Sequence, residues 1–262
     1  MPLHHLLSAL LDFCFPLSCV SCGLSGADLC QSCRAQLMPR SLYTRSAPEL
    51  PRILSFFRLP EQSAIKKLIH RFKFDGARTA GDDLFSLIEA RLPELLRLHC
   101  EENEAAGKFT DLSSFSNGES VTTPNRTFLV PVPLTRARER GRGLHQTRQL
   151  ARAISAATGL PLFEGLKKVR ETPPQSSLTR TARLGNLAGV FALQESLPVP
   201  SRTTFLLVDD VLTTGSTLNA CARTLRAAGA EKVEALTLAQ VETVGGGRGE
   251  NFLQKPEPAT AS

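Results

Sequence analysis

The sequence contains no tryptophan, a single tyrosine and only 6% aromatic residues in all. A surface that grips nucleic-acid bases by stacking would have to rest on phenylalanine or arginine, which argues against stacking as the main mode of any nucleic-acid contact. No run approaches the roughly 18 apolar residues of a membrane helix, and the apolar start LLSALLDFCFPL is broken by Asp12 and lacks a basic leader. The chain therefore reads as cytoplasmic, with no cleaved signal and no membrane span. There is no G-x-x-x-x-G-K-[ST], which excludes a Walker-type phosphate loop, and no G-x-G-x-x-G to support a dinucleotide site.

What is present is enough apolar material, 42% of 262 residues, for one ordinary domain with a smaller appendage. The formal charge of +6 is modest but concentrated: residues 131–183 hold eleven Lys and Arg against three Glu. Such a stretch suits phosphate-bearing partners, either a nucleotide or a nucleic-acid backbone; a solvated helix face is the plainer alternative.

Composition divides the chain into a cysteine-rich head (13–40), a connector with a basic amphipathic helix (41–98), an acidic insertion expected to be mobile (99–127), an α/β body (128–240) and a polar tail expected to be disordered (241–262). In the connector, Ile65, Leu68, Ile69 and Phe72 recur at helical spacing, which puts Lys66, Lys67, His70, Arg71 and Lys73 on the other side. That basic face is either solvated or a phosphate contact. In the body, TFLVPVPL, TFLLVDD and KVEALTLAQ read as strands, and GLHQTRQLARAISAATG and STLNACARTLRAAGA as helices. Strands alternating with helices imply a parallel sheet with crossover helices. Ser216 is a candidate cap for the second helix, Gly229 a candidate stop, and Cys221 a small buried apolar residue on its inner face.

The most informative stretch is FLLVDDVLTTGSTL, residues 205–218. An apolar strand ends in two carboxylates and runs into a turn of small residues and hydroxyls at the start of a helix. In an open parallel sheet, ligands bind at the carboxyl ends of the strands. Thr213, Thr214, Gly215, Ser216 and Thr217 are small enough for backbone N–H groups to converge on an anion, with hydroxyls and the helix N-terminus adding to the attraction. Asp209 and Asp210 would repel a phosphate but are acceptors suited to sugar hydroxyls or to a hydrated Mg²⁺.

Two C-x-x-C knuckles, Cys19/Cys22 and Cys30/Cys33, stand close together in the head, with Gly23 and Gly26 between them. Four thiolates at this spacing fit a tetrahedral structural Zn²⁺, and a reducing compartment makes disulfides the weaker explanation. A site closed by four cysteines has no open coordination position, so the metal would fold the head rather than perform chemistry.

The acid pair and the small-residue turn resemble the phosphoribosyl pyrophosphate signature of type I phosphoribosyltransferases. The order of PVPLTRARERGRGLHQ (131–146), QSSLTRTARLGNLAGVF (175–191) and the 205–218 stretch, behind a cysteine head, resembles the ComF/GntX family. The resemblance implies an α/β fold, a type I phosphoribosyltransferase-like parallel sheet with a small N-terminal zinc-binding head of four cysteines. It further implies that Asp209 and Asp210 meet the ribose hydroxyls while residues 213–217 hold the 5′-phosphate. By the same resemblance, Leu134, Thr135 and Arg136 lie in the pyrophosphate turn, and Arg142 and Arg183 are candidate phosphate cations. Leu144 and His145 depart from the family's usual Phe and Asn. The implied role is the handling of single-stranded DNA during natural transformation, beside DNA-uptake proteins such as a helicase. The alternative is a working phosphoribosyltransferase with an unidentified nucleophile, and no catalytic residue stands out in the sequence.

Overall fold

In a computed structural model, the structure describes residues 17–39, 41–59, 63–74, 78–96, 126–134, 146–170, 189–194 and 203–241. The expected strands of the body become β3 (Arg126–Pro131), β6 (Thr203–Leu212) and β7 (Lys232–Val241), and the expected helices become α4 (Gln146–Thr158) and α5 (Ser216–Ala227). These three strands run parallel, in the order β7-β6-β3.

The sheet does not stop there. Residues within the connector form β1 (Tyr43–Ala47) and β2 (Leu50–Leu59), and β2 pairs in parallel with β7 while β1 closes the edge antiparallel to β2. The five-stranded order is β1-β2-β7-β6-β3. The run RILSFFRL gave no clean alternation because β2 is covered on both sides, the condition under which strands read as continuous apolar runs. A two-stranded antiparallel ribbon, β4 (Leu166–Lys168) with β5 (Phe191–Leu193), lies apart from the main sheet.

Side-chain alternation along β6 divides the core into two layers. Leu206 and Val208 enter the layer filled by α2 (Ala64–Phe74), α3 (Arg78–Glu89) and α4, while Phe205 and Leu207 enter the layer filled by α5 and the β4–β5 ribbon. Ile65, Leu68, Ile69 and Phe72 are all buried in the first layer, as their spacing predicted. Cys221 is fully buried on the inner face of α5, and Gly229 takes φ 100° just past its end.

The cysteine head packs into this same first layer. Cys19, Val20 and Leu29 share a core with α2, and α1 (Gln31–Leu37) follows the second knuckle directly. The basic face of α2 is what holds the head down. Arg71 donates to the Ser18 carbonyl at 2.8 Å and pairs with Asp28, whose side chain is wholly buried and also accepts from the Thr79 hydroxyl at 2.6 Å. Arg34 pairs with Asp83 of α3, and Arg91 donates to the Pro39 carbonyl at 2.7 Å. For Arg71 the sequence offered a solvated face or a phosphate contact. The structure gives a third answer, an internal clamp.

Candidate phosphoribosyl site and cysteine cluster

The pairing of β3 with β6 ends at Pro131 opposite Val208, so the last residues of β6 run on beyond their edge partner while still paired with β7 on the other side. Asp209 and Asp210 occupy this stretch. Continuing the alternation of β6 sends their side chains toward opposite layers. Asp210 meets the α2 layer, where its carboxylate pairs with Lys73, and its other oxygen accepts the Val211 N–H at 2.6 Å. Asp209 accepts the Asp210 N–H at 2.9 Å and lies on the side of Lys168 and Cys221. Burial, first, and the adjoining Asp210 charge, second, push the Asp209 carboxyl up to about 7 from an ordinary 3.8, against the pull of its hydrogen bond and of Lys73 and Lys168.

The strand then breaks at residues 213–215. Thr213 and Thr214 are exposed, and Ser216 is buried at the first position of α5. Gly215 is the N-cap, with φ 75° and ψ 2°. The expectation that Ser216 caps the helix is corrected: its hydroxyl is taken by Thr214 Oγ1 at 2.8 Å, and the cap makes no side-chain hydrogen bond. A glycine in this left-handed conformation turns the chain sharply into the helix; the Ser216 N–H donates to Thr214 Oγ1 at 3.4 Å, and the later N–H groups of the first turn are the ones that can meet an external anion. A Cβ at Gly215 would meet Leu212 Cδ1 at 3.5 Å and Asn219 Nδ2 at 3.8 Å, ordinary contact distances. The position requires glycine for its backbone angle rather than for want of space.

Two neighbours of this loop were not foreseen. The β1–β2 turn is tied to α5 by the Glu49 N–H donating to Asn219 Oδ1 at 2.9 Å, which brings Ala47 against Gly215. Lys73 reaches Asp210 from the last turn of α2. Its only signal in the sequence was membership of a basic helix face, since the pairing joins segments far apart along the chain. Of the remaining predicted residues, Leu134 is half-buried just past the end of β3. Thr135, Arg136, Arg142 and Arg183 lie outside the described residues.

In the head, the sulfurs of Cys19, Cys22, Cys30 and Cys33 all lie within 4.8 Å of one another. The Cys22–Cys30 separation is 3.6 Å, close to the roughly 3.8 Å edge of a tetrahedron with Zn–S bonds of about 2.3 Å. Burial works against ionising Cys19, yet hydrogen bonds from the backbone at Cys22, Cys30 and Ser21 bring it down to about 6. Cys33 has a lowering hydrogen bond from Ser21, but the thiols of Cys30 and Cys22 push it up to about 12. The four thiols are thus coupled, one lowered by backbone hydrogen bonds and another raised by its neighbouring thiols. The four cysteines can hold a metal ion, and their donor set suits zinc.

The comparisons with known proteins agree with this geometry. A family model described as "Phosphoribosyl transferase domain" matches residues 141–250. The chain is 35% identical over 113 residues to Competence protein F of Haemophilus influenzae, covering 43% of this chain and 49% of that protein. It is 33% identical over 126 residues to Competence protein ComFC of Streptococcus pneumoniae, covering 48% and 53%. The chain thus spans about half the length of the relatives it matches. Among solved structures, adenine phosphoribosyltransferase of Saccharomyces cerevisiae is similar over 80% of this chain and 89% of that one, at 14% identity and a TM-score of 0.34, too slight a likeness to argue from. Beside the acid pair, the glycine at the start of α5 and the parallel sheet, the matches make this chain similar to a phosphoribosyl transferase domain over residues 141–250 and to ComF-type competence proteins over about half of its length.

Proposed function

We propose that this protein binds phosphoribosyl pyrophosphate, or a related phosphoribosyl ligand, at the carboxyl end of β6, and serves DNA uptake by handling single-stranded DNA in the cytoplasm. The observation that carries the ligand reading is the junction of β6 and α5: two carboxylates at the strand end, then Gly215 turning the chain into a helix start that offers no cap side chain of its own and carries the hydroxyls of Thr213, Thr214, Ser216 and Thr217. A 5′-phosphate in the loop puts a ribose within reach of Asp209 and Asp210, whose oxygens can accept hydrogen bonds from its hydroxyls. Their oxygens are hard donors suited to Mg²⁺, which would supply charge neutralisation for a pyrophosphate group when bound. Thr135, Arg136, Arg142 and Arg183 keep the role that the family resemblance implies for them, contact with the pyrophosphate or phosphate. Zinc in the four-cysteine site is structural in this reading. The DNA-uptake role is supported by the competence proteins among the relatives, and the basic stretch 131–183 suits backbone contact rather than base readout. No helix among the described residues is long and apolar enough to cross a membrane.

Isothermal titration of the zinc-loaded protein with phosphoribosyl pyrophosphate, with and without Mg²⁺, tests the ligand; a parallel titration with a single-stranded oligonucleotide over a range of salt tests the DNA. Saturable, Mg²⁺-strengthened binding of the first is the expected result, and no heat at millimolar ligand would refute it. A steep fall of log K with log salt is expected for the second, and a flat response would remove the DNA role. The alternative, a working phosphoribosyltransferase, uses the same loop and is distinguished by release of pyrophosphate when a nucleophile is supplied.

A further inference from the structure

We propose that Lys73 is a positioning residue of the phosphoribosyl site: its ammonium neutralises Asp210, so that the mouth of the loop presents one carboxylate rather than two to an anionic ligand. The inference rests on the phosphoribosyl reading above and adds a residue to it. Three observations carry it. The Lys73 Nζ is paired with Asp210 Oδ2, and both side chains are only 21% exposed, so the pair is largely shielded from the solvent that would otherwise screen a lone carboxylate. The carbonyl of Lys73 accepts a hydrogen bond from Gln146 Nε2 at 3.3 Å, and Gln146 is itself buried at the start of α4. The lysine is thereby fixed through its own backbone, not merely swung in from a mobile end. Finally, Asp210 is engaged on both oxygens, by Lys73 and by the Val211 N–H, whereas Asp209 faces the other layer. The two acids are not equivalent: Asp210 ties the strand end to α2 through Lys73, whereas Asp209 has no such cation paired with it among the described residues.

A cation paired with Asp210 favours an anionic ligand at this strand end. A phosphate approaching the start of α5 must pass the end of β6, and each unneutralised carboxylate there repels it. Lys73 acts through Asp210, so removing both charges leaves the site near its original balance, whereas a lysine that touched the ligand would be missed in any background.

The test is a cycle of Lys73→Met, Asp210→Asn and the double variant, with Lys73→Arg as the conservative control, titrated with ribose 5-phosphate without Mg²⁺ at fixed low salt. Lys73→Met is expected to weaken binding on the order of tenfold, the effect of one bare charge several ångströms from an anion in a partly shielded site. Lys73→Arg should bind within about threefold of the parent, and the double variant should bind within about threefold of Asp210→Asn. Circular dichroism and thermal unfolding of the same proteins exclude a general loss of fold, and the unfolding midpoints should show the same non-additivity. Binding of Lys73→Met equal to the parent's would overturn the proposal, as would a double variant as weak as the product of the two single losses. A parent that binds neither ribose 5-phosphate nor phosphoribosyl pyrophosphate would instead overturn the phosphoribosyl reading, and this proposal with it.

Discussion

Replacing Arg71 by methionine should weaken the whole molecule, not just its head. The guanidinium pairs with Asp28, whose side chain is completely buried, and donates to the Ser18 carbonyl at 2.8 Å. Without it, the Asp28 carboxylate keeps, among the described residues, the Thr79 hydroxyl as its side-chain partner. Removing one member of a buried ion pair costs about 3–5 kcal/mol, and because the Arg71 side chain is 27% exposed the lower end applies, about 3 kcal/mol. The orphaned Ser18 carbonyl can recover water at the edge of the head and adds at most about 1 kcal/mol. Against a typical domain stability of about 5–15 kcal/mol this is a large fraction. In urea, with a slope of about 2 kcal/mol/M, the zinc-loaded variant should unfold at a midpoint lower by about 1.5–2 M with the slope unchanged. Asp28→Asn in the same background should recover part of the loss, since a neutral amide costs less to bury than a lone carboxylate. Because Cys19, Val20 and Leu29 share the α2 core, thiol reactivity of the head and the circular dichroism of the sheet should change in one transition. A midpoint shift worth less than about 1 kcal/mol, or thiols that become reactive while the sheet transition stays in place, would refute the reasoning and make the head an independent appendage.

Other outcomes follow from the same structure. Gly215→Ala should cost on the order of 1–2 kcal/mol of stability through its left-handed backbone angle, and Gly215→Val more, while both weaken phosphoribosyl binding; a fully stable valine variant would contradict the φ of 75°. The Asp209 carboxyl is pushed up to about 7 from 3.8, so the folded protein holds a proton there that the unfolded chain has lost. Its contribution is therefore fully present below about pH 4 and is lost as the pH rises to about 7. Thermal unfolding from pH 5 to 8 should show the ligand-free parent losing stability relative to Asp209→Asn across that window, and parallel curves would count against the burial. Metal analysis should find one zinc per chain, and Cys19→Ser with Cys22→Ser should lose it together with the ordered head; an intact head without metal would end the structural-zinc reading.

The sequence by itself determined the α/β class, the three parallel strands of the body, the helices between them and the four-cysteine cluster, because each is written in local spacing: period two or continuous apolar runs, period three to four, and paired C-x-x-C. It also located the DDVLTTGST junction, since a strand end, small residues and a helix start follow one another along the chain. Some things it could not hold. β1 and β2 belong to the main sheet only because β7 offers β2 a parallel edge, and a parallel partner leaves no mark in local sequence. Gly215 rather than Ser216 caps α5 because the chain enters the helix from a left-handed turn, which a glycine permits and a following serine does not reveal. The basic face of α2 looked uniform, yet tertiary packing gave its members different work: Arg71 clamps Asp28 in the head and Lys73 meets Asp210 at the site. A salt bridge is a property of two charges brought together at the end of folding, and the separation along the chain of Lys73 from Asp210 hides it from any reading of either segment alone.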